Sequence, residues 1–142
     1  MRTVRQVLSE KGNEIHAVAP DTAVIEALRL MAAKGIGAVL VMQDGQLSGI
    51  LSERDYARKV VLQDRSSATT PVRDIMSSRV HTVDPAQSVQ QCMELMTGQR
   101  IRHLPVVDAG TVIGVISIGD LVKAVIEEQR EELDQLQEYI RS

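Results

Sequence analysis

The 142-residue chain repeats itself, and this constrains its fold more than any other feature. Setting Val18 against Val83 and reading on without gaps aligns Pro20 with Pro85, Val24 with Val89, Met31 with Met96 and Ile36 with Ile101. The same register then aligns Gly45 with Gly110, Gly49 with Gly114, Ser52 with Ser117 and Asp55 with Asp120. Upstream, Arg5–Ser9 (RQVLS) matches Arg73–Ser77 (RDIMS) after a three-residue shift, so the first copy has extra residues in its Glu10–Ile15 loop. Pro, Gly, Ser and Asp recurring together in one register describe a duplicated structural unit.

Each copy predicts the same series of elements. A helical turn (Thr3–Ser9; Val72–Ser77) leads to a brief strand (His16–Val18; His81–Val83). Pro then opens a helix, at Asp21–Lys34 and Ala86–Gln99, since a first-turn residue needs no amide hydrogen. Val24, Leu28, Met31 and Ala32, and in the second copy Val89, Met93 and Met96, fall on one helical face. Buried strands follow at Ala38–Met42 and Leu104–Val107, then turns at Asp44-Gly45 and Ala109-Gly110, then return strands at Leu47–Leu51 and Val112–Ile116. Helices at Arg54–Gln63 and Gly119–Ile140 close the copies.

The expected organisation is repeat 1 over 3–63, a polar, partly ordered linker over 64–71, repeat 2 over 72–126 and an acidic helical extension over 127–142. The fold class is α/β: two β-α-β-β-α repeats packed sheet to sheet about a pseudo-twofold axis, plus the extended C-terminal helix. Neither copy alone is large enough to be secure.

Composition removes several function classes. With two Tyr and neither Phe nor Trp, the chain lacks the aromatic platforms that stack single-stranded nucleic acid. Residues 127–142 hold six acids and two bases, and the other 126 hold thirteen acids and fourteen bases. A nearly neutral body with an acidic tail has no basic face for nucleic acid. The longest apolar run, Ile36 to Met42, has seven residues, too short for a membrane span. No apolar signal segment opens the chain, and one cysteine, Cys92, excludes a disulfide framework. A cytoplasmic protein is expected.

Two constellations can carry chemistry. The first is G-x-x-S-x-x-D, at Gly49/Ser52/Asp55 and again at Gly114/Ser117/Asp120, where a strand runs into a helix. Its plain reading is helix capping, with Ser at the N-cap and Asp three residues on. The same geometry suits a sugar phosphate: amides and hydroxyl for phosphate, carboxylate for ribose hydroxyls. Arg58 and Lys123, three residues past each Asp, are either its ion-pair partners or phosphate ligands. The second constellation is Arg100-Ile-Arg102-His103-Leu-Pro105, two arginines and a histidine before a buried strand. It is either a solvated basic edge or a phosphate clamp. The first copy has Gly35, Gly37 and Ala38 there and supplies no charge.

The tandem arrangement, the paired G-x-x-S-x-x-D junctions and the Arg102-His-Leu-Pro-Val-Val-Asp108 strand resemble a pair of cystathionine β-synthase (CBS) domains over residues 3 to 126. The resemblance implies a stand-alone, non-catalytic regulatory module that senses an adenosyl ligand between its repeats. AMP heads the candidates, with ADP, ATP, NAD or S-adenosylmethionine as others. The implied nucleotide-binding set is Gly37, Ala38, Ser52, Arg54, Asp55 and Arg58 from the first copy and its flank. Val80, Thr82, Arg102, His103, Pro105, Ser117, Asp120 and Lys123 complete it. The resemblance also implies disc-shaped homodimers and, with no enzyme domain attached, a regulated protein acting in trans. The first copy departs from the family pattern at Gly37 and Ala38.

The competing reading is a ligand-independent dimerisation or adaptor module that docks on an enzyme. Val122, Val125, Ile126, Leu133, Leu136 and Ile140 favour it, because beyond Ile126 their stripe needs a partner outside its own domain. No catalytic residue and no metal site is expected: His16 and His81 have no ligand spacing around them, and no histidine completes a triad with Ser52 or Ser117.

Overall fold

The computed structural model describes residues 1–141. Its elements are α1 (Val4–Lys11), β1 (Ala17–Val18), α2 (Val24–Lys34), β2 (Ala38–Gln43), β3 (Gln46–Ser52) and α3 (Glu53–Tyr56). Then come α4 (Val89–Gln99), β4 (His103–Asp108), β5 (Thr111–Ser117) and α5 (Ile118–Arg141). A π-helical turn, Ala57–Val61, prolongs α3, and a single 3-10 turn, Val72–Asp74, stands where the second copy was expected to repeat α1.

The chain forms two compact units that do not coincide with the two sequence copies. One comprises Ile15–Val80, the other Met1–Glu14 with His81–Ser142. Each copy's lead-in segment therefore packs in the unit built on the other copy. The hydrogen bonds repeat this exchange residue for residue. In one unit Val72 and Arg73 donate their amides to the carbonyls of Thr22 and Pro20, at 2.8 and 2.9 Å. In the other, the equivalent Val4 and Arg5 donate to Gln87 and Pro85, both at 2.9 Å.

In the first unit, β1 pairs in parallel with β2, which pairs antiparallel with β3. The core is Val24, Ala27 and Met31 of α2, Val39, Val41 and Leu51 of the sheet, and Val60, Val72 and Ile75. In the second unit, β4 and β5 form the hairpin, and the first strand shrinks to one parallel bridge, Val83 to Val106. Its core joins Val4, Val7 and Leu8 of α1 to Val89, Cys92 and Met96 of α4, with Leu104, Val106, Ile116 and Leu121. The hairpin turns place Asp44 and Gly45, and Ala109 and Gly110, at positive φ, as a two-residue type I′ turn demands.

Three expectations need correction. Helices α2 and α4 begin at Val24 and Val89, so Pro20 and Pro85 precede them in turns and do not open them. At α4 the start is set by a Ser88–Gln91 capping box; at α2, where Ala23 has no capping side chain, Val24 and Ile25 donate to the carbonyls of Thr70 and Ser67. The segment read as a partly ordered linker thus caps α2, and Thr70 is buried. Third, the buried faces run through Ala27 and Cys92, while Ala32 is exposed.

Candidate functional site

Both G-x-x-S-x-x-D segments fold as strand, N-cap and first helical turn. In the first unit Ser52 Oγ accepts from the Asp55 amide at 3.2 Å, and Asp55 Oδ2 accepts from the Ser52 amide at 3.0 Å. In the second, Ser117 Oγ accepts from the Asp120 amide at 3.2 Å, and Asp120 Oδ2 accepts from the Ser117 amide at 2.8 Å. The capping reading is therefore realised in both copies. It does not exhaust the carboxylates, since these capping bonds use Oδ2 alone and an ionised carboxylate offers about four acceptor positions.

The hairpins bring the second constellation to the first. His103 pairs with Ser117 across β4 and β5, and the Ile118 amide donates to the Arg102 carbonyl at 2.9 Å. Arg102 and His103 are thus tied by backbone to the start of α5, beside Ser117 and Asp120. In the first unit Ala38 pairs with Ser52, and the Glu53 amide donates to the Gly37 carbonyl at 3.0 Å. That frame is the same but carries no cation at the equivalent positions. Arg100, which ends α4, holds a left-handed φ of 55° where the first copy has Gly35 at 63°.

The remaining predicted residues divide between the units. Arg54 and Arg58 are exposed on α3 and its π-helical extension, and Val80 ends the first unit. Thr82 is exposed next to the Val83 bridge, and Val83 donates its amide to the carbonyl of buried Pro105 at 3.0 Å.

The ion pairs fall on residues that sequence reasoning missed. Asp55 Oδ1 pairs with Lys59, four residues on, at 3.3 Å, and not with Arg58. Lys59 also donates to the Ile75 carbonyl at 3.0 Å. Asp120 pairs with Lys11 of α1 at 2.6 Å, and Lys11 donates to the Val115 carbonyl at 2.6 Å. Lys123 faces Glu127 at 3.9 Å instead. Lys59 was available from helical spacing, which allows i,i+4 as readily as i,i+3. Lys11 could be found only by knowing that α1 packs with the second copy. Burial raises the Asp120 pKa, but the hydrogen bonds from Lys11 and the Ser117 amide outweigh it and hold the carboxyl below its usual range.

A duplicated α/β hairpin unit with a Ser/Asp-capped helix in each copy defines the class of a tandem-domain module, and comparison with known proteins gives its family. The CBS domain family model matches residues 4–62 and 72–127. The chain belongs to the CBS domain family. It is 41% identical to the CBS domain-containing protein CBSX3, mitochondrial, of Arabidopsis thaliana, over 98% of this chain and 72% of that one. It superposes on a CBS-domain protein of Burkholderia ambifaria MC40-6 with a TM-score of 0.87 and 53% identity, covering 90% of this chain and 96% of that one. The CBS domain pair of protein MJ0100, solved with 5′-methylthioadenosine and S-adenosyl-L-methionine, shares the fold at a TM-score of 0.80 and 21% identity, covering 90% of this chain and 98% of that one. Among the described residues, no helix is long and apolar enough to cross a membrane.

Proposed function

We propose that this chain is a non-catalytic sensor of an adenosyl ligand, an adenine nucleotide or NAD, that signals to a partner protein. The observation that carries the reading is the junction of β5 and α5. There a hydroxyl (Ser117) and a carboxylate (Asp120) begin a 24-residue helix, and backbone pairing sets Arg102 and His103 beside that start. Such a helix end favours an anion, Arg102 supplies a bidentate phosphate partner, and Asp120 accepts from ribose hydroxyls. The adenosyl ligands of MJ0100 support the ligand class. The first copy offers Ser52 and Asp55 with Gly37 and Ala38 in place of Arg102 and His103, and its cations Arg54, Arg58 and Lys59 come from the helix itself, so the two copies differ in ligand affinity. Regulation follows if the ligand prefers one conformation of the module over another.

Calorimetric titration of AMP, ATP and NAD tests the reading. Losing hydrogen bonds to a charged acceptor costs about 1.5–3 kcal/mol, roughly 10- to 100-fold in affinity. D120A is expected to weaken the tightest ligand by that factor, and D55A less. D120N keeps a capping acceptor and separates the ribose role from the helix start. Unchanged affinity in D120A, D120N and D55A removes the assignment.

The exposed apolar residues of α5 favour a second role, self-association as a homodimer, with or without ligand. A dimer whose thermal stability is indifferent to AMP, ATP and NAD would mark an adaptor and not a sensor.

A further inference from the structure

We propose that α5, from Val122 to Ile140, forms a parallel, in-register two-stranded coiled coil with the same segment of a second copy. It rests on the self-association read above and specifies its geometry.

Val122, Ile126, Leu133, Leu136 and Ile140 are 43%, 44%, 55%, 54% and 74% exposed, although all five are large apolar side chains. With Gln129 they occupy every alternate three- and four-residue step from 122 to 140, which is an unbroken a/d seam. The acids lie elsewhere. Glu127, Glu128 and Glu131 are on the opposite side of the helix at 3.6 residues per turn. That side is already engaged by the chain's own N-terminal segment: Arg2 donates to Glu127 and to Glu131, each at 2.6 Å. The tail's negative charge therefore does not oppose a second helix on the seam. The seam is left for an apolar partner of the same periodicity, and a second copy supplies one.

Two features choose the orientation. Seam overlap is complete in a parallel pair, where each residue meets itself, and in an antiparallel pair, where 126 meets 136 and 129 meets 133. In the parallel pair Gln129 faces Gln129 of the other copy, and the two amides satisfy each other. In the antiparallel pair each Gln129 is pressed against Leu133, leaving a buried amide unpaired. The flanking charges agree. Antiparallel packing sets Arg130 beside Arg130 and Glu132 beside Glu132. Parallel packing sets Glu132 beside Gln137 and Val125 beside Arg130, with no like-charge contact. Self-association therefore brings two modules to the same end of one short coil.

Cysteine cross-linking of the full chain tests this, and the native Cys92 does not compete because it is fully buried. Q129C is expected to form a reducible dimer under mild oxidation, while E131C, on the far side, does not. L133E is expected to raise the dimer dissociation constant at least about 100-fold by sedimentation equilibrium. Its circular dichroism should be unchanged, because Leu133 is exposed within the chain. Cross-linking of Q129C with L133C in mixture, but not of Q129C with itself, would overturn the parallel arrangement and leave self-association standing. A dimer indifferent to L133E would move the interface elsewhere and overturn the coil. A monomeric wild-type chain would end both the coil and self-association while leaving ligand binding untouched.

Discussion

The paired glycines show how one residue type serves packing where the motif invites a ligand reading. A Cβ on Gly49 would stand 2.7 Å from Met76 Sδ and 2.9 Å from the Ser77 carbonyl oxygen. One on Gly114 would stand 2.8 Å from a terminal methyl of Leu8, and its three nearest atoms all belong to that flexible side chain. Met76 and Leu8 are equivalent positions of the two lead-in segments. The first glycine of each G-x-x-S-x-x-D is thus the place where a lead-in segment crosses a hairpin. A methyl side chain can be pushed aside, but a carbonyl held in the Ile50–Ser77 bridge cannot without breaking two hydrogen bonds. G49A is therefore expected to cost about 2–3 kcal/mol and G114A about 1 kcal/mol, read as shifts of the urea midpoint. The serines and aspartates were legible as caps from spacing alone. Their cations were not, because Lys11 reaches Asp120 from 109 residues away in sequence.

That contact sets a pH dependence. Asp120 is held below the ordinary carboxylate range, so the unfolded chain takes up its proton more readily than the folded one. Its contribution is complete above the unfolded pKa of about 4 and is lost as pH falls through the folded value. K11M removes the cation, with Lys11 37% exposed and the pair correspondingly screened. The variant should be less stable by about 0.5–1 kcal/mol near neutrality and should converge on the wild type in acid. Denaturant midpoints across that range measure it. A K11M deficit that persists below the folded pKa would assign the loss to packing of the Lys11 stem.

At the scale of elements, periodicity located each helix and strand, and capping chemistry decided where the helices start. In both helices the first amide goes to the segment leading into the other copy, Val89 to the Arg2 carbonyl at 3.0 Å and Val24 to that of Thr70 at 2.9 Å. Helix α4 adds a local box, in which Ser88 Oγ accepts from the Gln91 amide at 3.1 Å and Gln91 Oε1 accepts from the Ser88 amide at 2.9 Å. S88A should cost about 1 kcal/mol of stability, measured by thermal or denaturant unfolding. Helix α2 has Ala23 at the same place and takes its first acceptors from Thr70 and Ser67. A23S is accordingly expected to change stability by less than about 0.5 kcal/mol. Reading Pro20 and Pro85 as helix openers failed because the residues between proline and N-cap already carry hydrogen bonds. The carbonyls of Pro20 and Pro85 accept from Arg73 and Arg5, and Asp84 Oδ1 accepts from the Ala86 amide at 2.6 Å. Those bonds come from the other copy or from a side-chain turn, and neither is visible in a helical period.

For the whole molecule, the decisive feature is that sequence copies and folded units differ by one segment. Duplication was legible in the register of Pro, Gly, Ser and Asp, because a duplicated fold keeps its turn and cap residues. The exchange was not, because α1 would satisfy the same amphipathic pattern packed on either copy. It has a consequence that sequence proximity predicts wrongly. Leu8 is 4% exposed and lies in one cluster with Val83, Val106 and Ile116, all from the far half of the chain. Truncating it leaves a cavity there, so L8A is expected to cost about 2–5 kcal/mol. The amide protons that lose protection should be those of α4, β4 and β5, in residues 89–117. Those of α2, β2 and β3, which follow Leu8 directly in the chain but share no core residue with it, should keep theirs until global unfolding. Hydrogen exchange with peptide-level resolution separates the two outcomes. Loss of protection confined to residues 15–60 would mean that α1 folds onto its own copy, and the exchanged arrangement would fall with it.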